Sequence, residues 1–437
     1  MKTSGVAVIG FGTVGTGVVR LLLEDGVRLA QAIGCRLDLR HVCDIDMERP
    51  RDVAVPREIL TDDPDVCFND PEVATVVETV GGTTVAVDLM KRALAAGKDV
   101  VTANKAALAE RGAELFEAAR AAGRSIGFEA SCAAGIPIIH AIRDGLVANR
   151  LTAITGILNG TCNYILTRMS STGAAYDDAL AEAQAKGYAE ADPALDVSGK
   201  DARHKLAILA ALAFGTQVSL DDVYVEGIEG INPHDILFGA QLGYVLKLLA
   251  IGRRTDETLS LRVHPTFVPA DSPLATVSGA DNAVLVTGHA VGDTFYVGPG
   301  AGEMPTASSI VADLADAAVG RAHLTCANLA WPAGRCPALA VQPIGETSTR
   351  YYLRFDVVDK PGVLAEIAGV LGREDISIAS VLQHEQTRPG SVPLVITTHD
   401  AREGNVASAM DAIRRLPSMA GPAVRIRMLQ EKREAGP

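Results

Sequence analysis

The chain has 437 residues, of which 48% are hydrophobic and 21% are charged, and this is enough apolar sequence for two or three domains with sizeable cores. The formal net charge of −13 disfavours a nucleic-acid partner or an anionic membrane surface. No apolar run approaches the roughly 18 residues that span a bilayer, and the seven cysteines are dispersed without a Cys-x-x-Cys pair. These features predict a soluble cytoplasmic protein with reduced thiols and no signal peptide.

The first predicted elements are a strand, a glycine-rich turn and a helix. Val6–Ile9 is a short apolar run that leads into the hexapeptide GFGTVG and then into a second apolar run. Gly10 permits the tight turn, Gly12 lets the backbone approach a pyrophosphate, and Gly15 lets the helix pack closely on the strand. The free N–H groups at the start of the helix then face the phosphates. The pattern predicts a dinucleotide site, and a generic strand–helix turn is the alternative.

The second predicted strand, Leu37–Cys43, ends at Asp44. An acidic side chain at this position accepts hydrogen bonds from the adenosine ribose and favours NAD. Asp44 lies further from the glycines than the usual distance of about 20 residues, so we expect a longer first helix that runs through Leu29–Ile33. Three nearby arginines would instead accept a 2′-phosphate, so NAD and NADP both remain open: Arg40, Arg49 and Arg51.

The chain divides into three predicted regions. Residues 1–130 alternate short apolar runs with alanine-rich helical stretches, which predicts a Rossmann-type, doubly wound parallel sheet. Residues 131–340 mix helices with strand-like runs and predict an α+β catalytic domain, and a helix at 308–318 is a candidate to return to the first domain. Residues 332–343 are rich in Pro and Gly and predict a linker. The region 350–437 has a βαββαβ order, so we expect an α/β protein with a C-terminal ferredoxin-like domain.

Residues 190–205 carry the most specific chemistry. Asp201 and Lys205 are four residues apart at the start of an Ala/Leu-rich helix, which places a carboxylate and an ammonium on one helix face. Glu190 lies just upstream, in a turn that begins at Gly187. Two acids and a lysine beside an apolar run suit the binding of a small zwitterion and a proton transfer to its oxygen. An ion pair on the helix surface is the alternative.

The C-terminal region resembles the ACT regulatory domain. The resemblance rests on the βαββαβ order and on the hexapeptide DKPGVL at 359–364, which connects the first strand to the first helix. Domains of this kind commonly bind amino acids, and the resemblance implies threonine as an end-product effector near Gly362. A plain ferredoxin-like structural or dimerising module is the alternative. As a separate module, residues 350–437 should be removable with hydride transfer largely intact.

Further motifs make nearly the whole chain similar to the homoserine dehydrogenase family. Besides the glycine turn and the acidic segment, they are ETVGG (78–82), VTANK (101–105), FEASCAAGIP (128–137) and GILNGTCNYIL (156–166). The resemblance implies reversible, NAD(P)-dependent interconversion of homoserine and aspartate 4-semialdehyde, a step in threonine, isoleucine and methionine biosynthesis. We also expect a homodimer or homotetramer.

The family's roles carry over to the matching positions. Lys205 would give the proton to the carbonyl oxygen during reduction, while Asp201 and Glu190 would hold the amino group of the substrate. Lys105 would lie between nicotinamide and substrate and take part in catalysis. The residues that would contact the cofactor are Gly10, Gly12, Thr13, Val14, Gly15, Asp44, Thr79, Lys105, Gly187 and Gly302.

The segment around Glu129 resembles the monovalent-cation site of the family. Glu129 would give a carboxylate ligand. Backbone carbonyls would come from Cys132, Ala134 and Ile136, and oxygen ligands of this kind suit a hard cation such as sodium. Cys132 and Ala134 stand where the family more often has Val and Gly, and Cys162 stands where it has Thr. Main-chain ligation tolerates such changes, so the sodium site is still predicted.

Two other functions remain open from the sequence. One is a different Rossmann-plus-ACT dehydrogenase of an amino-acid pathway, such as prephenate or phosphoglycerate dehydrogenase, which would need a catalytic His with an Arg or Glu. His204 is adjacent to Lys205 but lies on another helix face. The other is a non-enzymatic sensor of a dinucleotide and an amino acid. Loss of Lys205 or Glu190 would favour a sensor, and both residues are present.

Overall fold

The computed structural model describes residues 1–255, 257–328, 339–383 and 391–430. Its strands are β1 (Lys2–Ile9), β2 (Cys35–Cys43), β3 (Leu60–Thr61), β4 (Val73–Glu78), β5 (Asp99–Thr102), β6 (Ile126–Gly127), β7 (Leu151–Ile157), β8 (Tyr224–Val225), β9 (Tyr244–Arg254), β10 (Thr258–Pro269), β11 (Asp281–Gly288), β12 (Gly292–Pro299), β13 (Ala340–Val341), β14 (Ser348–Val357), β15 (Ile378–Gln383), β16 (Val392–Thr398), β17 (Ala401–Arg402) and β18 (Met419–Met428).

The helices of the described residues lie between these strands in the sequence, singly or in runs. They are α1 (Thr13–Glu24), α2 (Gly26–Ile33), α3 (Pro64–Asn69), α4 (Val85–Ala95), α5 (Lys105–Ala122), α6 (Ile138–His140), α7 (Gly160–Thr172), α8 (Tyr176–Ala185), α9 (Ala194–Val197), α10 (Lys200–Phe214), α11 (Pro233–Gln241), α12 (Pro273–Thr276), α13 (Glu303–Val319), α14 (Arg321–Asn328), α15 (Val363–Arg373) and α16 (Glu403–Ile413). Within the described ranges, no helix is both long enough and apolar enough to cross a membrane.

The chain forms two compact units, and it passes between them several times. The first unit contains residues 1–160, 201–223 and 281–339. The second unit contains residues 161–200, 224–280 and 340–437. The sequence predicts three successive domains, whereas each of these two units combines several separate segments of the chain. The three domain ranges stay predictions.

A six-stranded parallel sheet forms the centre of the first unit. Its strand order is β3-β2-β1-β4-β5-β6, and each neighbouring pair is parallel. The predicted doubly wound parallel sheet is therefore confirmed. The direction of the strand order reverses between β1 and β4, and open α/β sheets bind ligands at the carboxyl ends of the strands that flank such a switch point. The glycine turn follows β1 and is therefore at this position.

The first helix is shorter than the sequence suggested. One continuous helix through Leu29–Ile33 was expected, but α1 ends at Glu24 and a separate helix, α2, begins at Gly26. The prediction of one long helix is wrong because Asp25 and Gly26 have low helix propensity. The Asp25 N–H closes α1 by bonding the Leu21 carbonyl, and the chain then starts the second helix.

Helix α13 completes the core of the first unit. It contains the predicted segment 308–318 and packs against α1. Its apolar face joins the core that includes Val6 and Val8 of β1, and its buried members there are Ala307, Ile310, Val311, Leu314 and Ala318. An antiparallel ribbon of β7, β11 and β12 belongs to the same unit.

The second unit is built on one mixed sheet with the order β9-β10-β18-β14-β16-β15. Strands β9 and β10 form a long antiparallel pair. The remaining strands, with α15 and α16, follow the βαββαβ order that the sequence predicted, and their apolar residues form a separate core. Most of the predicted linker, residues 332–338, lies outside the described residues, and Ala340–Val341 after it pairs with β10.

The C-terminal strands are continuous with the sheet that precedes them. Strand β18 pairs in parallel with β10 through Thr266 and Phe267. The buried Asp235 of α11 receives two hydrogen bonds from Arg354, at 2.6 and 3.1 Å, and one from the Tyr352 hydroxyl at 2.9 Å. Loss of residues 350–437 would therefore expose Phe267 and leave a buried carboxylate without these partners, and the expectation that hydride transfer survives this deletion stays a prediction.

We predict that removal of residues 350–437 lowers the melting temperature and the yield of folded enzyme. Leaving one member of a buried ion pair without its partner typically costs about 3–5 kcal/mol. Asp235→Leu, introduced into the truncated chain, should recover part of the lost stability because it removes the unpaired charge. Thermal unfolding of the full chain, the truncation and the truncation with Asp235→Leu tests this. A truncated chain that melts like the full chain would contradict it.

Candidate active site

The glycine turn after β1 leaves the start of helix α1 open. Gly10 has a φ of +98°, and a Cβ added there would lie 2.7 Å from the Thr79 carbonyl carbon. A Cβ on Gly15 would lie 2.0 Å from the Gly10 carbonyl oxygen, so turn and helix are in backbone contact. Gly12 precedes the helix, makes no side-chain cap, and has open space where its Cβ would be. The first N–H groups of the helix therefore face space that suits a phosphate.

Two predicted cofactor residues, Thr13 and Thr79, lie beside this turn. The Thr79 hydroxyl donates to the Gly10 carbonyl at 2.7 Å, so the residue after β4 fixes the turn after β1. Thr13 is exposed at the first helical position. Val14 is half-buried and packs against the core of the first unit. The turn, Thr13 and Thr79 thus form one continuous surface at the carboxyl end of the sheet.

Asp44 ties the end of β2 to the glycine turn. Its Oδ2 accepts the Phe11 N–H at 2.5 Å, and its Oδ1 accepts the Asp46 N–H at 2.8 Å. Each carboxylate oxygen has a further lone pair, so these bonds leave acceptors for a ribose hydroxyl. Asp44 therefore holds the turn and also offers a carboxylate beside it.

The three nearby arginines have different surroundings. Arg40 pairs with Glu72 at 2.5 Å and Asp70 at 3.5 Å, and so lies away from the turn. The Arg51 guanidinium lies 4.5 Å from the centre of the Phe11 ring and donates to the Phe11 carbonyl at 2.8 Å. Arg49 is exposed next to it. Arg49 and Arg51 are thus the cations adjacent to the Asp44 loop.

One buried carboxylate joins the two lysines that the sequence singled out. Asp201 Oδ2 lies 2.8 Å from Lys205 Nζ, and its Oδ1 lies 2.7 Å from Lys105 Nζ. The side chains of Asp201 and Lys205 are only 3% and 9% exposed. The pair Asp201–Lys205 is therefore not a surface ion pair, which was the alternative interpretation of this spacing.

The surroundings of Asp201 keep it ionised. Burial raises its pKa, but the positive charges of Lys205 and Lys105 more than reverse this and hold the pKa well below its ordinary value. The Asn159 amide donates to Asp201 Oδ2 at 2.8 Å, and Lys205 Nζ also donates to the Leu158 carbonyl at 2.7 Å. Asn159 and Leu158 lie in a motif that the sequence analysis used, but it gave neither of them a role.

Lys105 is the first residue of α5 and lies just beyond the end of β5. The Asn104 side chain caps this helix by accepting the Ala107 N–H at 3.0 Å, and it also donates to the Gly82 carbonyl at 2.7 Å. The segments 78–82 and 101–105, which are far apart in sequence, are therefore held together. Lys105 is about one-third exposed, so its ammonium reaches Asp201 from the solvent side.

Gly187 and Glu190 belong to the second unit. They follow α8, where Gly187 has a φ of +76° and the Gly187 N–H bonds the Gln184 carbonyl at 3.0 Å. Glu190 is exposed, and its carbonyl accepts from the Gln184 amide at 3.1 Å. Gly302, in the first unit, immediately precedes α13 with a φ of +120°. Their contacts with substrate or cofactor stay predictions.

The predicted cation ligands form a buried, oxygen-lined segment. Glu129 is 1% exposed, and its two oxygens accept the N–H groups of Ile139 and His140, each at 2.8 Å. The Ala134 carbonyl accepts the Ser309 hydroxyl, and the Ile136 carbonyl accepts the Ile138 N–H. Carboxylate and carbonyl oxygens retain lone pairs after one such bond, so the donor set fits a hard cation. The sodium site stays a prediction.

A group of acids around His140 was not found from the sequence. His140 contacts Glu129 and lies 3.0 Å from Asp316, and these carboxylates raise its pKa to about 10. Asp313 accepts the Glu129 N–H at 2.8 Å, and burial together with the Glu129 charge raises its pKa to about 7. Both aspartates come from α13, more than 170 residues away in sequence, and no local pattern indicates this contact.

The two cysteines in these motifs are packing residues. Burial raises the pKa of Cys132 to about 12, which disfavours the reactive thiolate. Cys162 is fully buried and its sulfur lies 3.3 Å from the Asp196 carbonyl. The thiol can donate weakly to that carbonyl.

Comparison with known families matches three successive parts of the chain. Residues 10–129 match the model "Homoserine dehydrogenase, NAD binding domain", and residues 137–315 match the model "Homoserine dehydrogenase". Residues 351–418 match the model of the ACT domain. The glycine turn, both lysines, Asp201 and Glu129 lie within the first two matches.

Similarity to individual proteins extends over almost the full length. A homoserine dehydrogenase of Pseudomonas aeruginosa is 44% identical over 441 aligned residues, which cover 98% of this chain and all of that protein. The crystal structure of a homoserine dehydrogenase from Thiobacillus denitrificans is 42% identical, with a TM-score of 0.88 over 98% of this chain and 99% of that one. A hyperthermophilic archaeal homoserine dehydrogenase in complex with NADPH is 25% identical, with a TM-score of 0.61 over 73% of this chain and 98% of that one. The chain therefore belongs to the homoserine dehydrogenase family.

Proposed function

We propose that Lys205 gives the proton to the carbonyl oxygen when this homoserine dehydrogenase reduces aspartate 4-semialdehyde. An ammonium has three N–H groups, and Lys205 uses two of them, on Asp201 and on the Leu158 carbonyl. The third is left for a substrate oxygen. When bound, the nicotinamide supplies the hydride in this direction and accepts it in the other. The single observation that carries the proposal is this buried, oriented ammonium, which has one N–H without a partner among the described residues.

We propose two roles for Asp201 and one for Glu190. The two oxygens of Asp201 hold one lysine each, which separates the two ammonium groups and keeps Lys205 aimed in one direction. Lone pairs that remain on Asp201, together with the exposed carboxylate of Glu190, suit the amino group of the substrate. Lys105 is the more exposed lysine, and it is proposed to contact both the nicotinamide and the substrate.

Replacement of Lys205 by alanine should lower kcat about 100-fold or more, because a positioned general acid typically contributes 10²–10⁴ to the rate. Lys200→Ala is a matched control, since Lys200 is an exposed residue at the start of the same helix. Steady-state oxidation of homoserine and reduction of the semialdehyde measure both variants. The role of Lys205 would be wrong if Lys205→Ala kept near-normal turnover.

We propose that the enzyme accepts NAD and NADP, with Asp44 as the residue that favours NAD. The match to a family model with an NAD-binding domain supports a nicotinamide cofactor, and the NADPH in the archaeal relative supports the phosphorylated form. In this chain, Asp44 puts a negative charge beside the turn, while Arg49 and Arg51 lie on the same loop. A carboxylate repels a 2′-phosphate, and the arginines attract it.

Asp44→Ser should raise the ratio of kcat/KM for NADP over that for NAD. Asp46→Ser is the control, because it removes the same charge two residues further on from an exposed position. A similar change in both variants would indicate a general electrostatic effect rather than contact with the ribose. An unchanged ratio in Asp44→Ser would show that Asp44 does not reach the ribose.

We propose that threonine binds at the first turn of the ACT domain and lowers activity. Gly362 precedes α15 with a φ of +93°, is exposed, and has open space where a Cβ would be. The match of residues 351–418 to the ACT family supports a regulatory amino acid at this turn. Inhibition requires two states of the protein that differ in threonine affinity.

Gly362→Asn should raise the threonine concentration needed for half-inhibition, because the new side chain fills the open space at this turn. We expect an increase of about fivefold or more, since coupling between sites typically changes affinity by about 5- to 150-fold. Asn is the substitution that best tolerates a left-handed backbone. Gly279→Asn is the control, because Gly279 has a φ of +65°, similar open space and a position before the ACT domain. If the native enzyme ignores millimolar threonine, threonine is not the effector; if Gly362→Asn is inhibited like the native enzyme, the site lies elsewhere.

A further inference from the structure

A partly buried ion cluster connects the last ACT strand to the segment that follows β8. The cluster consists of Glu226, Glu403, Arg425 and Arg427. We call the segment 226–228 the strap. Arg427 is 2% exposed and lies between the two acids. Glu403 starts the ACT helix α16, Arg425 and Arg427 lie on β18, and Glu226 starts the strap.

The hydrogen bonds of Arg427 define its orientation closely. Its Nε and one terminal nitrogen bond both oxygens of Glu403, at 2.8 and 2.6 Å, in the two-pronged geometry that guanidinium and carboxylate favour. Its other terminal nitrogen bonds Glu226 at 2.6 Å. Arg425 adds contacts to Glu403 at 2.7 Å and to Glu226 at 3.1 Å. The same guanidinium therefore fixes an ACT helix and the strap together.

The strap in turn lies directly on the backbone just before Asp201. The Ile228 N–H donates to the Val197 carbonyl at 2.9 Å. A Cβ on Gly227 would lie 2.3 Å from the Val197 carbonyl oxygen and 2.7 Å from the Ser198 Cα, so no side chain fits between the two backbones. Val197 ends α9, and three residues later α10 begins with the turn that carries Asp201.

The contacts form an uninterrupted series from the ACT domain to the substrate segment. Glu403 orients Arg427, Arg427 bonds Glu226, Glu226 begins the strap, and the strap contacts Val197 and Ser198. The segment they belong to lies between Glu190 and Asp201 in the sequence. A buried ion network adds little stability compared with apolar packing, but it specifies one register and one orientation. This suits a positioning function better than a purely stabilising one.

We infer that Arg427 and Glu226 are positioning residues for homoserine, through which the ACT domain sets the placement of the segment 190–201. The inference rests on the proposed substrate role of Glu190 and Asp201. When the strap is free to move away from Val197 and Ser198, the segment that carries Glu190 loses its placement, whereas Asp201 keeps its bonds to Lys105, Lys205 and Asn159.

Glu226→Gln tests the inference in the full-length enzyme. It keeps the size of the side chain and leaves the bonds between Arg427 and Glu403 in place, so the ACT domain remains folded. The expected result is a rise in KM for homoserine of at least about fivefold, the lower end of typical coupling between sites. The KM for the dinucleotide and kcat should change by less than about twofold. Arg427→Gln should give the same rise, and the double variant should add little to either, because the two residues act through one contact.

Ile413→Val is the control for a merely structural role. Ile413 is fully buried in the separate ACT core, so its truncation lowers the stability of the domain without touching the cluster. It should lower the melting temperature and leave the KM for homoserine unchanged. If Glu226→Gln does the same, with a lower melting temperature and an unchanged KM, the inference is overturned.

Asp201→Asn, measured in parallel, separates this inference from the proposed site. A raised KM for homoserine in both Asp201→Asn and Glu226→Gln supports both statements. A raised KM in Asp201→Asn alone overturns the role of the strap. A raised KM in Glu226→Gln alone supports the strap and refutes the substrate role of Asp201, and an unchanged KM in both variants overturns both.

Discussion

The placement of the proposed catalytic lysines depends on one buried carboxylate. Moving a charge out of water carries a penalty of several kcal/mol, and the charge persists only when partners compensate for it. Asp201 meets this condition with Lys205, Lys105 and the Asn159 amide. Folding must therefore bring together the start of α10, the start of α5 and the loop after β7, which carry Asp201, Lys105 and Asn159. The stability of the fold and the geometry of the site are fixed by the same contacts.

Several groups of the site lie just beyond the carboxyl end of a strand. Lys105 follows β5 of the parallel sheet, and Leu158 and Asn159 follow β7 of the antiparallel ribbon. The glycine turn and Thr79 occupy the same kind of position after β1 and β4. Binding groups collect at such strand ends because the strands hold their positions while the loops vary. The positive charges of Lys205 and Lys105 keep Asp201 ionised despite its burial, so one carboxylate pairs with both lysines.

Local spacing carried most of what the sequence revealed. The glycine turn and the i, i+4 pair Asp201–Lys205 are both short-range patterns, and each gave the right structure. The break at Asp25 was missed because a continuous apolar pattern outweighed two weak helix formers. The contacts of His140 with the α13 acids, and the role of the Leu158 carbonyl, involve residues that are remote in sequence or backbone atoms that carry no side-chain signal. Similarly, Arg427 is one arginine among many until the fold places it between Glu226 and Glu403.

The sequence predicts a separable ACT region because its local patterns do not show contacts with residues that are remote in sequence. Its strand order and its own apolar core describe a complete small domain, and nothing local shows that β18 also pairs with β10. Besides that strand pairing and the packing of Phe267 on Tyr352, ion pairs at Asp235 and at Glu226 join it to the rest of its unit. The hydrogen bonds within these ion pairs need particular distances and angles, so a small rearrangement of the ACT strands weakens them more than it would weaken apolar packing. A ligand that binds one arrangement of these strands more tightly than the other shifts the equilibrium between the two arrangements. The shift is at most the difference between the two binding free energies. An ACT domain joined in this way can therefore influence the substrate segment without contacting the substrate.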